Sequence, residues 1–146
     1  MKQSSLVDAG CGFAEFYLYL KKNSLTPKEY IGLDMEEEMI NLAKKRTPNL
    51  NLKISNILQD TLEIKDYYIC SGALNILTQE ETLIFISKCF NNSKKGFVFN
   101  FLKQDTLNSV HYSDILEFCK TLPCEIKVQN GYLDNDISVY LKKSLD

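Results

Sequence analysis

Asp8, Gly10, Gly12 and Asp34 are the residues whose types and spacing could do chemistry. They stand in LVDAGCGFAEF (6–16) and at the end of YIGLD (30–34). Two glycines just after an apolar run let a backbone turn tightly and pass close to a ligand. A pyrophosphate could be that ligand, but the dinucleotide fingerprint G-x-G-x-x-G needs a third glycine at position 15. Position 15 is Glu15, an acid at the helix N-terminus that should hold the phosphates. At close range that opposition is costly unless solvent screens it. No G-K-S or G-K-T triplet occurs anywhere, which excludes a P-loop. A ligand without phosphates that still wants a close backbone approach fits better.

The elements that must position these residues alternate along the chain. Residues 5–9 (SLVDA) read as a strand, and Phe13, Phe16, Tyr17 and Leu20 follow at helical spacing. A short strand at 30–33 precedes a helix over 36–46, and Pro48-Asn49 breaks the chain before a strand at 50–54. A fourth strand spans 67–70, Thr78-Gln79-Glu80-Glu81 is a capping-box pattern for a helix to about residue 90, and 97–102 (FVFNFL) is a buried strand. Ile115, Phe118, Cys119 and Leu122 repeat the helical spacing up to Pro123. Only about ten residues (56–66) separate the third and fourth strands. A parallel crossover usually needs a dozen or more, so an irregular link or one short turn is expected there. Residues 125–132 and 137–141 are strand-like with only Leu133-Asp134-Asn135-Asp136 between them, so they should pair antiparallel. The reading is one α/β domain over 1–146, its strands parallel except for an antiparallel strand at or near the edge.

Composition agrees with an ordinary globular chain. The length of 146 residues suits one domain, and the net charge of −2 offers no basic surplus for nucleic acid. The five cysteines at 11, 70, 89, 119 and 124 form no C-x-x-C pair, which fits free thiols in a reducing cytoplasm. No signal peptide or membrane span is read at the N-terminus. No metal-ligand spacing stands out.

LVDAGCGFA resembles the first motif of the class I S-adenosylmethionine-dependent methyltransferases, an acid followed by G-x-G-x-G, with Ala14 in place of the last glycine. YIGLDMEEEMINLAKKR (30–46) is similar to the family's second block, DYYICSGALNIL (66–77) to its fourth, and GYLDNDISVYLKK (131–143) to its closing hairpin. The four blocks run in order from about residue 5 to 143. The resemblance implies a Rossmann-like, mostly parallel seven-stranded sheet flanked by helices, with a C-terminal antiparallel hairpin. It implies S-adenosylmethionine (SAM) as cofactor and methyl transfer to an acceptor, most simply a small molecule; a non-catalytic cofactor-binding or scaffold domain is the alternative.

Position by position, the resemblance puts Asp8, Gly10, Cys11, Gly12, Asp34, Met35, Asn56, Ile57 and Ser71 at the cofactor. Asp34 would accept both ribose hydroxyls, although Asp34-x-x-Glu37 is also a capping pair for the next helix. Gly10 and Gly12 would let the backbone approach the methionine part. Asp8 would orient that loop or, through water, the ammonium group; a buried aspartate that merely holds a turn is the other reading. Met35 would pack on the adenine. Asn56 stands where the family usually has an acid reading the adenine amino group.

Helices that precede the first strand in family members have no counterpart here, because the first strand begins at about residue 5. The site is then open, or a partner or second subunit closes it, or the chain is a shortened form. No sharp catalytic signature is present, and the [DNS]-P-P-[YFW] motif of amino methylases is absent: the chain reads Ser71-Gly72-Ala73-Leu74-Asn75. Asn75 could face an acceptor, though an Asn before a helix commonly caps a turn. His111 is expected in the loop after the fifth strand, on the ligand side, where a lone histidine is more often solvated than a base.

Overall fold

Each apolar run of the sequence becomes a strand of one sheet. The computed structural model describes residues 2–102, 110–130 and 136–144. The strands are β1 (Ser5–Ala9), β2 (Glu29–Asp34), β3 (Asn51–Ile54), β4 (Lys65–Cys70), β5 (Ser93–Leu102), β6 (Glu125–Asn130) and β7 (Asp136–Lys142). The helices are α1 (Glu15–Lys22), α2 (Glu37–Arg46), α3 (Gln79–Asn91) and α4 (Tyr112–Cys119), with a 3-10 turn at Ala73–Ile76.

Sheet order is β3-β2-β1-β4-β5-β7-β6. β1 pairs in parallel with both β2 and β4, and β3 and β5 extend the parallel set on either side. β7 is antiparallel to β5 and to β6. The order of connection therefore reverses between β1 and β4, and a crevice opens beyond their carboxyl ends, the usual ligand position in open α/β sheets. The expected topology is what forms, and the antiparallel strand lies one in from the edge. β7 earns its inner place by alternation: Ile137, Val139 and Leu141 are buried, whereas edge strand β6 exposes Glu125, Lys127, Gln129 and Asn130.

Two apolar cores lie on opposite faces. On one, Phe97, Phe99 and Phe101 stack along β5 under α3 and α4, with Tyr68, Ile86, Cys89, Ile115 and the buried residues of β7. The smaller core joins Ala14, Leu20, Ile40 and Ala43 of the α1–α2 side to Leu6, Tyr30, Leu52 and Ile69. It takes buried residues from β1 to β4 and none from β5, β6 or β7. Val98, on the face of β5 opposite the phenylalanines, is accordingly 37% exposed.

Residues 55–64, between β3 and β4, hold only a turn in which Asn56 O accepts from the backbone N–H of Gln59 and Asp60. The short link is thus irregular, as its length requires. The linker at Leu133-Asp134-Asn135-Asp136 is described only at Asp136, the first residue of β7; 131–135 lie outside the described residues.

The capping box is present: Thr78 Oγ1 accepts from Glu81 N at 3.2 Å, and Glu81 Oε1 accepts from Thr78 N at 2.9 Å. Thr78→Ala is expected to lower stability by about 1 kcal/mol, read as an earlier urea midpoint with an unchanged slope. An unchanged midpoint would show that α3 is held by packing alone.

Candidate functional site

The loop that follows β1 carries three left-handed residues, Gly10 (φ 77°), Gly12 (φ 54°) and Ala14 (φ 65°). Leu33 O accepts from both Gly10 N (2.7 Å) and Cys11 N (2.9 Å), which bends the loop over the end of β2. The two glycines differ in what they spare. A Cβ on Gly10 would lie 2.7 Å from the Ala73 Cβ, so Gly10 is closed by packing. A Cβ on Gly12 would meet no atom within 4 Å, so Gly12 is the glycine that leaves room for something else. Ala14 adopts the backbone of the missing third glycine with its methyl fully buried, a strain of about 1 kcal/mol.

Asp34 fastens this loop. Its Oδ2 accepts from Gly12 N and its Oδ1 from Glu36 N, each at 2.9 Å. The capping alternative is corrected by this geometry: the N-cap of α2 is Glu36, and Asp34 bonds outside the helix. Each carboxylate oxygen retains a second lone pair, so two hydroxyls can still be accepted.

Asp8 is buried in β1 at 2% exposure, and Tyr30 donates its hydroxyl to Asp8 Oδ2 at 2.6 Å. Burial pushes the Asp8 carboxyl up to about 6; the Tyr30 hydrogen bond opposes this and the Asp34 charge adds to it. Asp8 makes this contact across to β2, not to the loop. Tyr30 had read only as part of an apolar run, and nothing in its spacing marked it. Cys11 turns its thiol inward against Gly32, and burial, then Asp8 and Asp34, push that thiol up to about 12.

Two hollows meet at Gly10. One, of about 280 Å³, is walled by Asp34, Met35, Glu36, Asn56, Ile57, Ala73, Ile76, Glu81 and Phe85 among others. Met35 is 58% exposed there, whereas Ile57 is buried. The other, of about 410 Å³, is lined by Asp8, Cys11, Gly12, Phe13, Glu15, Phe16 and Ser71. Together they bring to one trough every residue expected at the cofactor. Among the described residues, their walls carry five carboxylates (Asp8, Glu15, Asp34, Glu36 and Glu81) and no lysine or arginine. Glu15 is exposed and pairs with Arg46 at 2.6 Å, so its charge is shared with α2 as well as with its own helix terminus.

Asn56 has its side-chain oxygen on Leu58 N at 3.0 Å. An acid does follow the third strand, but Asp60 turns back to Asn56 N and Ser55 Oγ and does not line this trough. A separate hollow of about 250 Å³ between β3 and the 60–63 segment contains Asp60.

A family model described as a methyltransferase domain matches residues 1–131. The chain belongs to the methyltransferase-domain family. Solved structures share its fold. Magnesium protoporphyrin IX methyltransferase from Synechocystis PCC 6803 superposes with a TM-score of 0.82 at 15% identity, over 97% of this chain and 75% of that one. An S-adenosylmethionine dependent methyltransferase from Mesorhizobium loti gives 0.78 at 16% identity, over 96% and 91%. A TehB-like SAM-dependent methyltransferase from Corynebacterium glutamicum gives 0.79 at 16% identity, over 99% and 82%. No curated protein matches the sequence.

In this methyltransferase domain the two residues considered for the acceptor fall outside the trough walls. Asn75, in the 3-10 turn, gives its side-chain oxygen to Leu102 N at 3.0 Å, the turn-holding role. Asn100 mirrors it, accepting from Gly72 N at 2.7 Å, so two asparagines stitch the ends of β4 and β5. His111 follows β5 as the N-cap of α4, without a side-chain capping bond, and is not among the residues lining either hollow. The described residues contain no His, Cys, Asp and Glu group fit for a metal, and no helix long and apolar enough to cross a membrane.

Two outcomes follow from this geometry. Asp34→Ala is expected to lose about 1–2 kcal/mol of stability along with its two backbone partners, seen in urea unfolding. Asp8 works in the other direction. A carboxyl raised from 3.8 to about 6 contributes stability below pH 3.8 that is lost as pH rises through 6. The loss is about 3 kcal/mol. Asp8→Asn should therefore remove this fall between pH 4 and 7 and unfold at higher urea than wild type at pH 7.5. Parallel pH curves for the two proteins would contradict it.

Proposed function

We propose that the chain is a SAM-dependent methyltransferase acting on a small-molecule acceptor, and that the trough around Gly10 holds the cofactor. The acidic lining is the observation that carries the reading: among the described residues, five carboxylates and no basic side chain suit a ligand with a sulfonium and an ammonium group, and oppose a dinucleotide. The open space at Gly12 supports the fit, since it lies where a ligand would pass over the backbone. Structures similar in fold were crystallised with SAH or SAM bound, which agrees.

On this reading Asp34 accepts the ribose hydroxyls with its spare lone pairs, and Met35 and Ile57 flank the adenine. Asn56 retains acceptor capacity for the adenine amino group. Gly10, Cys11 and Gly12 offer backbone to the methionine part, while Asp8 and Ser71 lie at its ammonium end. When bound, the cofactor supplies an activated methyl group for in-line displacement. The protein's own contribution is then orientation and exclusion of water. The described trough walls hold no histidine or lysine to act as a base, which favours an acceptor that arrives already nucleophilic. Four buried free cysteines and a fifth half-buried one support a reducing, cytoplasmic setting for this single domain.

Calorimetry with SAM and SAH tests the reading. Both should bind the wild-type chain, and Gly12→Ala should weaken SAH at least tenfold while costing only about 1 kcal/mol of stability from the left-handed backbone. No binding of either ligand would sink the proposal. Binding without turnover over a panel of small acceptors would support the alternative, a cofactor-binding domain that acts with a partner.

A further inference from the structure

Tyr30 is buried behind the trough, in contact with Asp8, and the cofactor reading leaves it without a task. It is 6% exposed, and its ring meets Tyr17 of α1 edge-on, with centroids 5.0 Å apart. Its hydroxyl is thereby aimed at Asp8 Oδ2, 2.6 Å away. Burial beside Asp8 pushes the phenol far above its ordinary range, so Tyr30 stays neutral and remains a donor.

We propose that Tyr30 is a positioning residue that keeps Asp8 ionised and fixed at the ammonium end of the trough, and so sets the pH range over which the domain binds its cofactor. The proposal rests on the cofactor reading above. Asp8 sits in an unfavourable place for a charge. Around it are Tyr30 and Asp34 from β2, Cys11 from the loop, Cys70 from β4 and, in the same hollow, Glu15 of α1. None of these is a cation. Burial and the Asp34 charge favour the protonated acid, and the Tyr30 hydrogen bond is the contact that favours the anion. A ligand ammonium needs the anion, so binding and ionisation of Asp8 are linked. Tyr30 pins one carboxylate oxygen of Asp8, and Asp8 lines the hollow together with Gly10, Gly12 and Ser71.

The test is the affinity for SAH, measured by calorimetry from pH 5 to 8 on the full chain. In wild type the association constant should fall about tenfold per pH unit below an inflection near 6. In Tyr30→Phe the inflection should move up by about one unit, a loss of about threefold at pH 6.5 that grows to about five- to tenfold at pH 6 and below, and affinity should return to within about twofold of wild type at pH 8. Asp8→Asn should bind weakly with a flat profile. Incorporation of 3-fluorotyrosine at position 30 is nearly isosteric and makes the phenol a stronger donor, so it should move the inflection down; this keeps the test intact if Tyr30→Phe does not fold. A merely structural Tyr30 would scale the affinity equally at every pH. An inflection unchanged in both variants would overturn the inference while leaving the cofactor reading in place. Wild-type chain that binds no SAH at any pH would instead overturn the cofactor reading itself.

Discussion

The carboxylate of Asp34 holds the loop on which the rest of the site depends. It joins the N–H of Gly12 to the N–H of Glu36, which pins the turn after β1 against the entry to α2. Without that tie, a loop with left-handed backbone at Gly10, Gly12 and Ala14 would be held by Leu33 O and by the bond from Ala14 N to Cys11 O. Charge-assisted hydrogen bonds of this kind are the stronger ones, and here they also orient the acid. An aspartate whose two oxygens are already directed by backbone donors presents its remaining lone pairs in a fixed geometry. The loop and the acid preorganise each other.

The same part of the structure carries features that cost stability. Asp8 is buried beside another carboxylate with no cation against it among the described residues, an arrangement that a purely structural position would replace by an amide or an apolar side chain. Ala14 carries backbone strain with its methyl sealed in the core. Both lie within a few residues of Gly12, and the more regular parts of the sheet offset them: the stacked phenylalanines of β5 and the buried alternation of β7. Strain and unfavourable charge gather at sites that act.

Most of the fold was legible because it rests on local periodicity. Alternation in β7, the helical spacing of α3 with its capping box, and the short link before β4 each follow from residues a few places apart. The site was legible only where the resemblance supplied roles. Contacts between distant residues left no local mark: Gly12 with Asp34, Arg46 with Glu15 across 31 residues, and Tyr30 with Asp8. Tyr30 looks like any aromatic residue of a buried strand until the sheet register brings it beside Asp8. Ala14 reads as a tolerated small residue, and only the backbone angle shows what it costs. His111 follows β5 and stands at the N-cap of α4, a position that depends on where the helix starts. Asp60 follows β3 as an acid would in a ligand role, yet it turns back on its own loop.

A crystal structure of the chain grown with SAH tests the central claim most directly. The account predicts the ribose against Asp34, the adenine between Met35 and Ile57, and the amino-acid end passing over Gly12 toward Asp8 and Ser71. SAH bound away from Gly12 and Asp34, or a trough left empty at saturating SAH, would contradict it.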